Sequence, residues 1–303
     1  MSTRARPDRT PTRLQTFQEG EISERDDLLA TEEPLEIRLR AGESVRPVAV
    51  TMRTPGQDAE LAAGFLSSEG VVEDPGRIRR IAHLFAPDET PGPEGSNVIE
   101  VELTGGPEPE LRSLERHFFA TSACGVCGKA GLEALRFRVP GQAPPGPVVS
   151  PELLGELPAR LRAAQGLFAA TGGLHAAALF DAAGTLLAVR EDVGRHNALD
   201  KLIGQAFLAG RLPLRDHLVL VSGRSSYEIL QKCVVAGVPL VCAVSAPSSL
   251  AVELAERFGV TLVGFLRGNP LTRFNVYAGP ERIAGAVRAG SPRRGERLFP
   301  TIL

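Results

Sequence analysis

His217-Leu218-Val219-Leu220-Val221-Ser222-Gly223-Arg224-Ser225-Ser226 reads as a buried strand that stops at a polar turn. A helical pattern follows at once, from Ser226 to Val235. The unit then recurs. Leu240 to Val244 is a strand, Val244-Ser245-Ala246-Pro247-Ser248-Ser249 a turn, Ser248 to Phe258 a helix, and Thr261 to Phe265 a strand. Upstream, Leu174 to Phe180 and Thr185 to Arg190 read as a hairpin across Asp181-Ala182-Ala183-Gly184. Arg195 to Leu208 and Pro151 to Gln165 read as helices. A hairpin followed by strand–helix–strand units predicts an α/β fold, a three-layer α/β/α sandwich on a mixed sheet.

The first half reads differently. Leu35, Ile37 and Leu39 alternate with Glu36 and Arg38, a half-buried strand that can turn at Ala41-Gly42 into a second strand, Pro47 to Met52. Asp58 to Glu69 carries Leu61, Ala62, Phe65 and Leu66 at helical spacing and closes at Gly70. Asn97 to Leu103 alternates again, after a Pro/Gly/acidic loop from Ala86 to Gly95. Residues 33–138 are therefore expected to form an α+β domain. Val139 to Pro147 holds four prolines and two glycines and is placed as a linker. Residues 148–303 form the expected second domain. Residues 1–32, rich in Arg, Thr and Pro near their start and without the apolar core of a signal peptide, are expected to be a disordered leader.

A length of 303 residues gives room for about two domains, and 43% hydrophobic with 23% charged residues is the composition of a soluble globular protein. The net charge of -2 argues against general nucleic-acid binding. No apolar run reaches the roughly 20 residues of a membrane span. These features place the chain in the cytoplasm.

Two of the four cysteines lie in Cys124-Gly125-Val126-Cys127-Gly128-Lys129. The glycines free the backbone, and the neighbouring Lys129 favours the reactive thiolate. Three readings are open: half of a structural zinc site, a thioredoxin-like dithiol, and a loop nucleophile or sulfur carrier. Zinc needs four ligands, and the remaining thiols, Cys233 and Cys242, fall inside an apparent helix and an apolar strand. Three polar turns follow strands in the second half: Glu191-Asp192-Val193-Gly194-Arg195-His196-Asn197, the turn from Ser222 to Ser226, and the turn from Ser245 to Ser249. Such turns present N–H groups where α/β proteins bind ligands. Each is also compatible with simple helix capping. His175, beside an apolar strand, is either structural or part of that edge. Gly264-Phe265-Leu266-Arg267-Gly268-Asn269-Pro270 leaves the last strand in a polar turn. Arg267 is a candidate phosphate ligand there, and Tyr277 either stacks on a ring or packs in the core.

Taken together, the chain resembles the formate dehydrogenase accessory FdhD family. The resemblance runs through Thr54-Pro55-Gly56, Leu61 to Leu66, Glu69-Gly70, the cysteine loop, Gly172 to Ala177, Glu191 to Asn197 with Leu199-Asp200-Lys201, Val221 to Glu228, Ala243 to Ala251 and Gly264-Phe265. It implies a sulfurtransferase that accepts sulfur from a cysteine desulfurase as a persulfide on Cys124, assisted by Cys127. It implies delivery to Mo-bis(molybdopterin guanine dinucleotide), bound as substrate, for formate dehydrogenase. The matching cofactor-binding stretch is Phe265, Leu266, Arg267, Gly268, Asn269 and Pro270. Leu271 to Phe274 is extra length before Asn275 and Tyr277. Ser222, Arg224, Asn275 and Tyr277 are further candidate contacts with the guanine nucleotide, and His196 and Asp192 are candidates to handle protons. The family also implies a cytidine-deaminase-like second domain and a homodimer, and no dedicated protein metal is expected. Deamination itself does not fit. Ala176-Ala177 follow His175 where a zinc deaminase needs a Glu, and the cysteines precede the His. The alternative function is a non-catalytic chaperone for the cofactor.

Overall fold

The computed structural model describes residues 7–85, 96–106, 109, 143, 145–268 and 272–286. Among the described residues, twelve strands fall into three sheets. The largest is a six-stranded mixed sheet, ordered β12-β11-β10-β9-β7-β8. Its strands are β7 (His175–Asp181), β8 (Leu186–Asp192), β9 (His217–Val221), β10 (Leu240–Ala243), β11 (Thr261–Arg267) and β12 (Arg273–Ala278). β9, β10 and β11 run parallel, while β7 and β12 are antiparallel to their neighbours. The β7–β8 turn is tied by Asp181, whose carboxylate accepts the Thr185 N–H at 2.7 Å and the Ala183 N–H at 2.9 Å.

Both faces of this sheet are covered. On one face Leu179, Val219, Val241 and Leu262 meet three helices, α4 (Arg195–Leu208), α5 (Tyr227–Val235) and α6 (Ser249–Phe258). On the other, Phe180, Leu218, Leu220 and Cys242 meet Leu154, Leu157 and Leu161 of α2 (Pro151–Ala164). The expected three-layer α/β sandwich is therefore present. A short helix, α3 (Gly166–Thr171), precedes β7. Where the notional linker is described, Pro145 is held against the second half by a 2.6 Å hydrogen bond from Arg282 to its carbonyl.

The first half contains a four-stranded sheet, ordered β4-β3-β6-β5. Its strands are β3 (Glu33–Ala41), β4 (Ser44–Arg53), β5 (Ile78–His83) and β6 (Val98–Leu103). Leu35, Ile37 and Leu39 are buried against Leu61 and Leu66 of α1 (Asp58–Ser68), as their alternation predicts. The core of this half also takes Phe207 from α4.

The stretch expected as a disordered leader differs. Arg9–Gln18 (β1) and Glu21–Ala30 (β2) form an antiparallel hairpin. Its two-residue tip, Glu19-Gly20, has φ of 52° and 91°. Positive φ at both loop residues suits the right-handed strand twist of a tight hairpin. Thr12, Leu14 and Thr16 form its half-buried face and alternate with the exposed Arg13 and Gln15.

Candidate functional site

The carboxyl ends of β9, β10 and β11 lie on the same sheet edge as the start of β7 and the end of β8, because β7 runs against β8 and β9. The three polar turns therefore line one edge, as their position after strands predicts. The second and third turns are also joined to each other, and the third to β11. Ser225 N–H donates to the Ala246 carbonyl at 3.2 Å, Ser248 N–H to the Ser225 carbonyl at 3.0 Å, and Phe265 N–H to the Ser245 carbonyl at 3.1 Å.

The first turn splits into buried and open parts. Asp192 and Lys201 form a fully buried ion pair at 2.7 Å. Asp192 also accepts from Gly194 N at 2.8 Å, Asn197 Nδ2 at 3.0 Å and Thr54 N at 3.2 Å. Lys201 donates to the Thr54 carbonyl at 2.8 Å, and Asn197 to the Met52 carbonyl at 2.7 Å. Glu191 accepts the Leu167 and Phe168 N–H groups at 3.0 and 2.7 Å, satisfying the start of α3. Glu191, Asp192 and Asn197 thus hold the two halves and α3 together. Asp192 is enclosed by the fold at 0% exposure, which removes it from the proton-handling candidates.

A second buried network lies beside the first. Lys232 pairs with Asp200 at 2.8 Å and lies 3.7 Å from Glu69, and Ser68 donates to Asp200 at 3.2 Å. Burial alone would lower the Lys232 amine, but Asp200 and Glu69 overcome it and the net shift is upward. Between the networks α1 crosses α4 at glycines. A Cβ on Gly64 would stand 2.8 Å from Gly204 N and closer still to the Asp200 carbonyl. Backbone contacts backbone here, which only glycine permits.

Arg195 and His196 face the open part of the edge. His196 Nε2 is 3.4 Å from Ser226 Oγ and 3.9 Å from Glu228. Burial, with Arg195 and Lys232 nearby, pushes its imidazole down to about 4, against the pull of Glu228. At neutral pH it is therefore uncharged. The folded value lies below the ordinary one of about 6.5, so the unfolded chain takes up this proton first as pH falls. The His196 contribution to stability is whole above about pH 6.5 and is lost towards about pH 4, by at most about 1.4 kcal/mol per unit. Urea midpoints at pH 7.5 and 5 should therefore converge more in His196→Gln than in the parent. His175 is likewise held below its ordinary value by burial, then by Arg195 and Arg224, against Asp192.

At the far end of the edge, β11 continues past Phe265 to Arg267 because β12 pairs with it across a bulge between Gly264 and Arg267. The expected turn after Phe265 is thus strand up to Arg267, and Asn275 and Tyr277 lie on β12. Phe265 has φ of 53° and is 40% exposed. A left-handed backbone at a bulky residue is strained, and such strain concentrates at ligand sites. Leu266 points the other way and is fully buried in the core. Phe265, Arg267, Arg273 and Asn275 line a cavity of about 300 Å³. Arg267 donates to the Leu266 carbonyl at 3.0 Å and also to the Val244 carbonyl. Asn275 donates to the Tyr277 hydroxyl at 3.3 Å. Ser222 accepts the Ala176 N–H at 2.9 Å, and Arg224 is exposed. The pattern reading missed Arg273. Its signal was the Arg273-Phe274-Asn275-Val276-Tyr277 alternation, which begins inside the extra length from Leu271 to Phe274.

Cys124, Cys127, Asn269 and Pro270 lie outside the described residues. Cys233 and Cys242 are fully buried, and burial raises both thiols, that of Cys233 to about 12. Neither supplies a thiolate at neutral pH. Among the described residues no group of three His, Cys, Asp or Glu is arranged to hold a metal ion, and no helix is long and apolar enough to cross a membrane.

Comparison with known proteins is consistent across the chain. A Streptomyces coelicolor protein named "Sulfur carrier protein FdhD" is 52% identical over 276 residues, 90% of this chain and 95% of that protein. A Mycobacterium tuberculosis protein of the same name is 48% identical over 277 residues, 89% of this chain and 97% of that one. The crystal structure of a candidate formate dehydrogenase accessory protein from Desulfotalea psychrophila matches with a TM-score of 0.68 and 27% identity, covering 91% of this chain and 100% of that one. The model of the FdhD/NarQ family matches residues 30–284. With the sheet edge and both halves included in that match, the chain belongs to the FdhD/NarQ family.

Proposed function

We propose that this chain is a sulfurtransferase in which Cys124 carries sulfur as a persulfide from a cysteine desulfurase to Mo-bis(molybdopterin guanine dinucleotide), for formate dehydrogenase. The observation that carries this is the near-full-length similarity to proteins named sulfur carriers. The thiols support it by elimination. Of four cysteines, Cys233 and Cys242 are buried with raised thiols, which leaves the Cys124 and Cys127 pair for exchange chemistry. In loading, the Cys124 thiolate attacks the terminal sulfur of the desulfurase persulfide. The donor S–S bond breaks, a new S–S bond forms on Cys124, and the donor cysteine leaves as thiolate. Sulfur moves with no net oxidation.

The cofactor, as substrate, would lie along the sheet edge. Phe265 offers an exposed ring for a base, and Arg267, Arg224, Ser222, Asn275 and Tyr277 offer polar groups on the same edge. A cavity of about 300 Å³ is at the small end of ligand pockets, the size for one nucleotide portion rather than the whole cofactor. The same proposal includes a cytoplasmic homodimer.

Cys124→Ala tests the reading in cells whose own copy of the gene is deleted. Formate dehydrogenase activity is expected to fall to the level of the deletion, with the variant still folded by circular dichroism. Full activity from that variant would favour a chaperone that needs no thiol.

A further inference from the structure

We propose that Gly155 of α2 is a positioning residue for the cavity beside Phe265: it seats the connection between β11 and β12 and so fixes where Arg273 stands. This rests on the nucleotide reading above, since it concerns the wall of that cavity, and it adds a residue outside the cavity lining.

Gly155 lies in the interior of α2 and is buried. Glycine is a poor helix residue, less favourable there than alanine, so its place calls for a packing reason. The reason lies against it. A Cβ on Gly155 would stand 2.8 Å from Thr272 Cγ2 and closer still to Thr272 Oγ1. The Thr272 side chain therefore occupies the notch that the missing methyl leaves. Gly268 meets the same residue, because a Cβ on Gly268 would overlap the Gly155 carbonyl oxygen. Gly268 directly follows β11 and Thr272 directly precedes β12. Both shoulders of the connection thus rest on one bare helical residue. Two residues of the extra length, Thr272 and Phe274, make this docking: Thr272 fills the notch, and Phe274 packs on the core that holds Leu154, Leu157 and Leu161 of α2.

The cavity of about 300 Å³ depends on that seat. Arg267 and Arg273 flank Gly268 and Thr272, line the cavity, and stand directly opposite each other in the β11–β12 register. Like charges facing across a ladder repel, so the pair splays unless the connection is held. Arg267 is tethered to the Val244 and Leu266 carbonyls. The Arg273 guanidinium has no hydrogen-bond or ion-pair partner among the described residues, so the backbone that carries it sets its place. A second cavity of about 390 Å³, lined by Pro151, Glu152, Thr272, Arg273 and Phe274, also borders Arg273 and leaves it room to swing away from Phe265.

A methyl at position 155 would move the connection rather than the helix. α2 is anchored by Leu154, Leu157 and Leu161 in the core, whereas Thr272 and Arg273 are exposed. Shifting exposed residues is easier than opening a close-packed interior.

Calorimetric titration of the full chain with GDP, alongside thermal unfolding, tests this. Gly155→Ala is expected to weaken GDP binding about tenfold or more while keeping the thermal midpoint of the parent. Thr272→Gly empties the same notch from the exposed side and touches no core residue, so it reports even if Gly155→Ala fails to fold. It too is expected to weaken GDP. The swap Gly155→Ala with Thr272→Gly refills the notch with the new methyl and removes the atoms it would strike, and most of the parent affinity should return. Parent affinity in either single variant would overturn the positioning role, as would a swap no tighter than the weaker single variant, and the nucleotide reading would stand. A parent chain that binds no GDP would overturn both.

Discussion

Lys201→Ala should destabilise the protein by about 3–5 kcal/mol, because it strands a buried carboxylate. Asp192 and Lys201 are both 0% exposed, and their 2.7 Å pair sits where the two halves meet. Removing the cation leaves Asp192 with Gly194 N, Asn197 Nδ2 and Thr54 N, all of them dipoles. Those three donors keep the cost towards the lower end of the range. The Thr54 carbonyl also loses its 2.8 Å donor. The double variant Asp192→Asn with Lys201→Met should recover much of the loss, since a neutral pair has no buried charge to strand. Urea unfolding of the parent, both single variants and the double variant measures this. A single-variant cost below about 1 kcal/mol would show that the pair does not hold the junction.

Gly64→Ala should be about as costly, at roughly 3 kcal/mol or more, by a different mechanism. The new methyl would meet the Asp200 carbonyl and Gly204 N, which are backbone atoms of the facing helix. No side chain can rotate away, so α1 and α4 must separate. Separation would draw Phe207 out of the first-half core and pull Ser68 from Asp200. Gly166→Ala is the control, because nothing lies within 4 Å of that position and its change should be near neutral. A stable Gly64→Ala with the thermal midpoint of the parent would mean that the helices do not touch there.

Much of this architecture was legible in the chain. Short apolar runs ending in Ser/Gly/Arg turns placed β9, β10 and β11 and put their turns on one edge, because period and punctuation are local properties. The junction was not legible. Asp192 and Asn197 look like site residues in a polar turn, and only the docking of Thr54 and Met52 on them shows that they are buried. Gly64 and Gly204 are unremarkable in two helical patterns until the helices cross. The β1–β2 hairpin was masked because its half-buried face on β1 is only Thr12, Leu14 and Thr16, and its Glu-Gly tip was the overlooked cue. Leu266 was included with its neighbours as a cofactor contact. Along a strand, however, alternate side chains face opposite sides, and Leu266 went to the core while Phe265 stayed at the surface.

Intact-mass spectrometry of the purified chain, after incubation with a cysteine desulfurase and free cysteine, probes the role of Cys124 in a single reading. The parent is expected to gain one sulfur atom, removable by a thiol reductant and mapped to the peptide holding Cys124. A parent that gains no sulfur, or gains it equally in Cys124→Ala, would contradict the account.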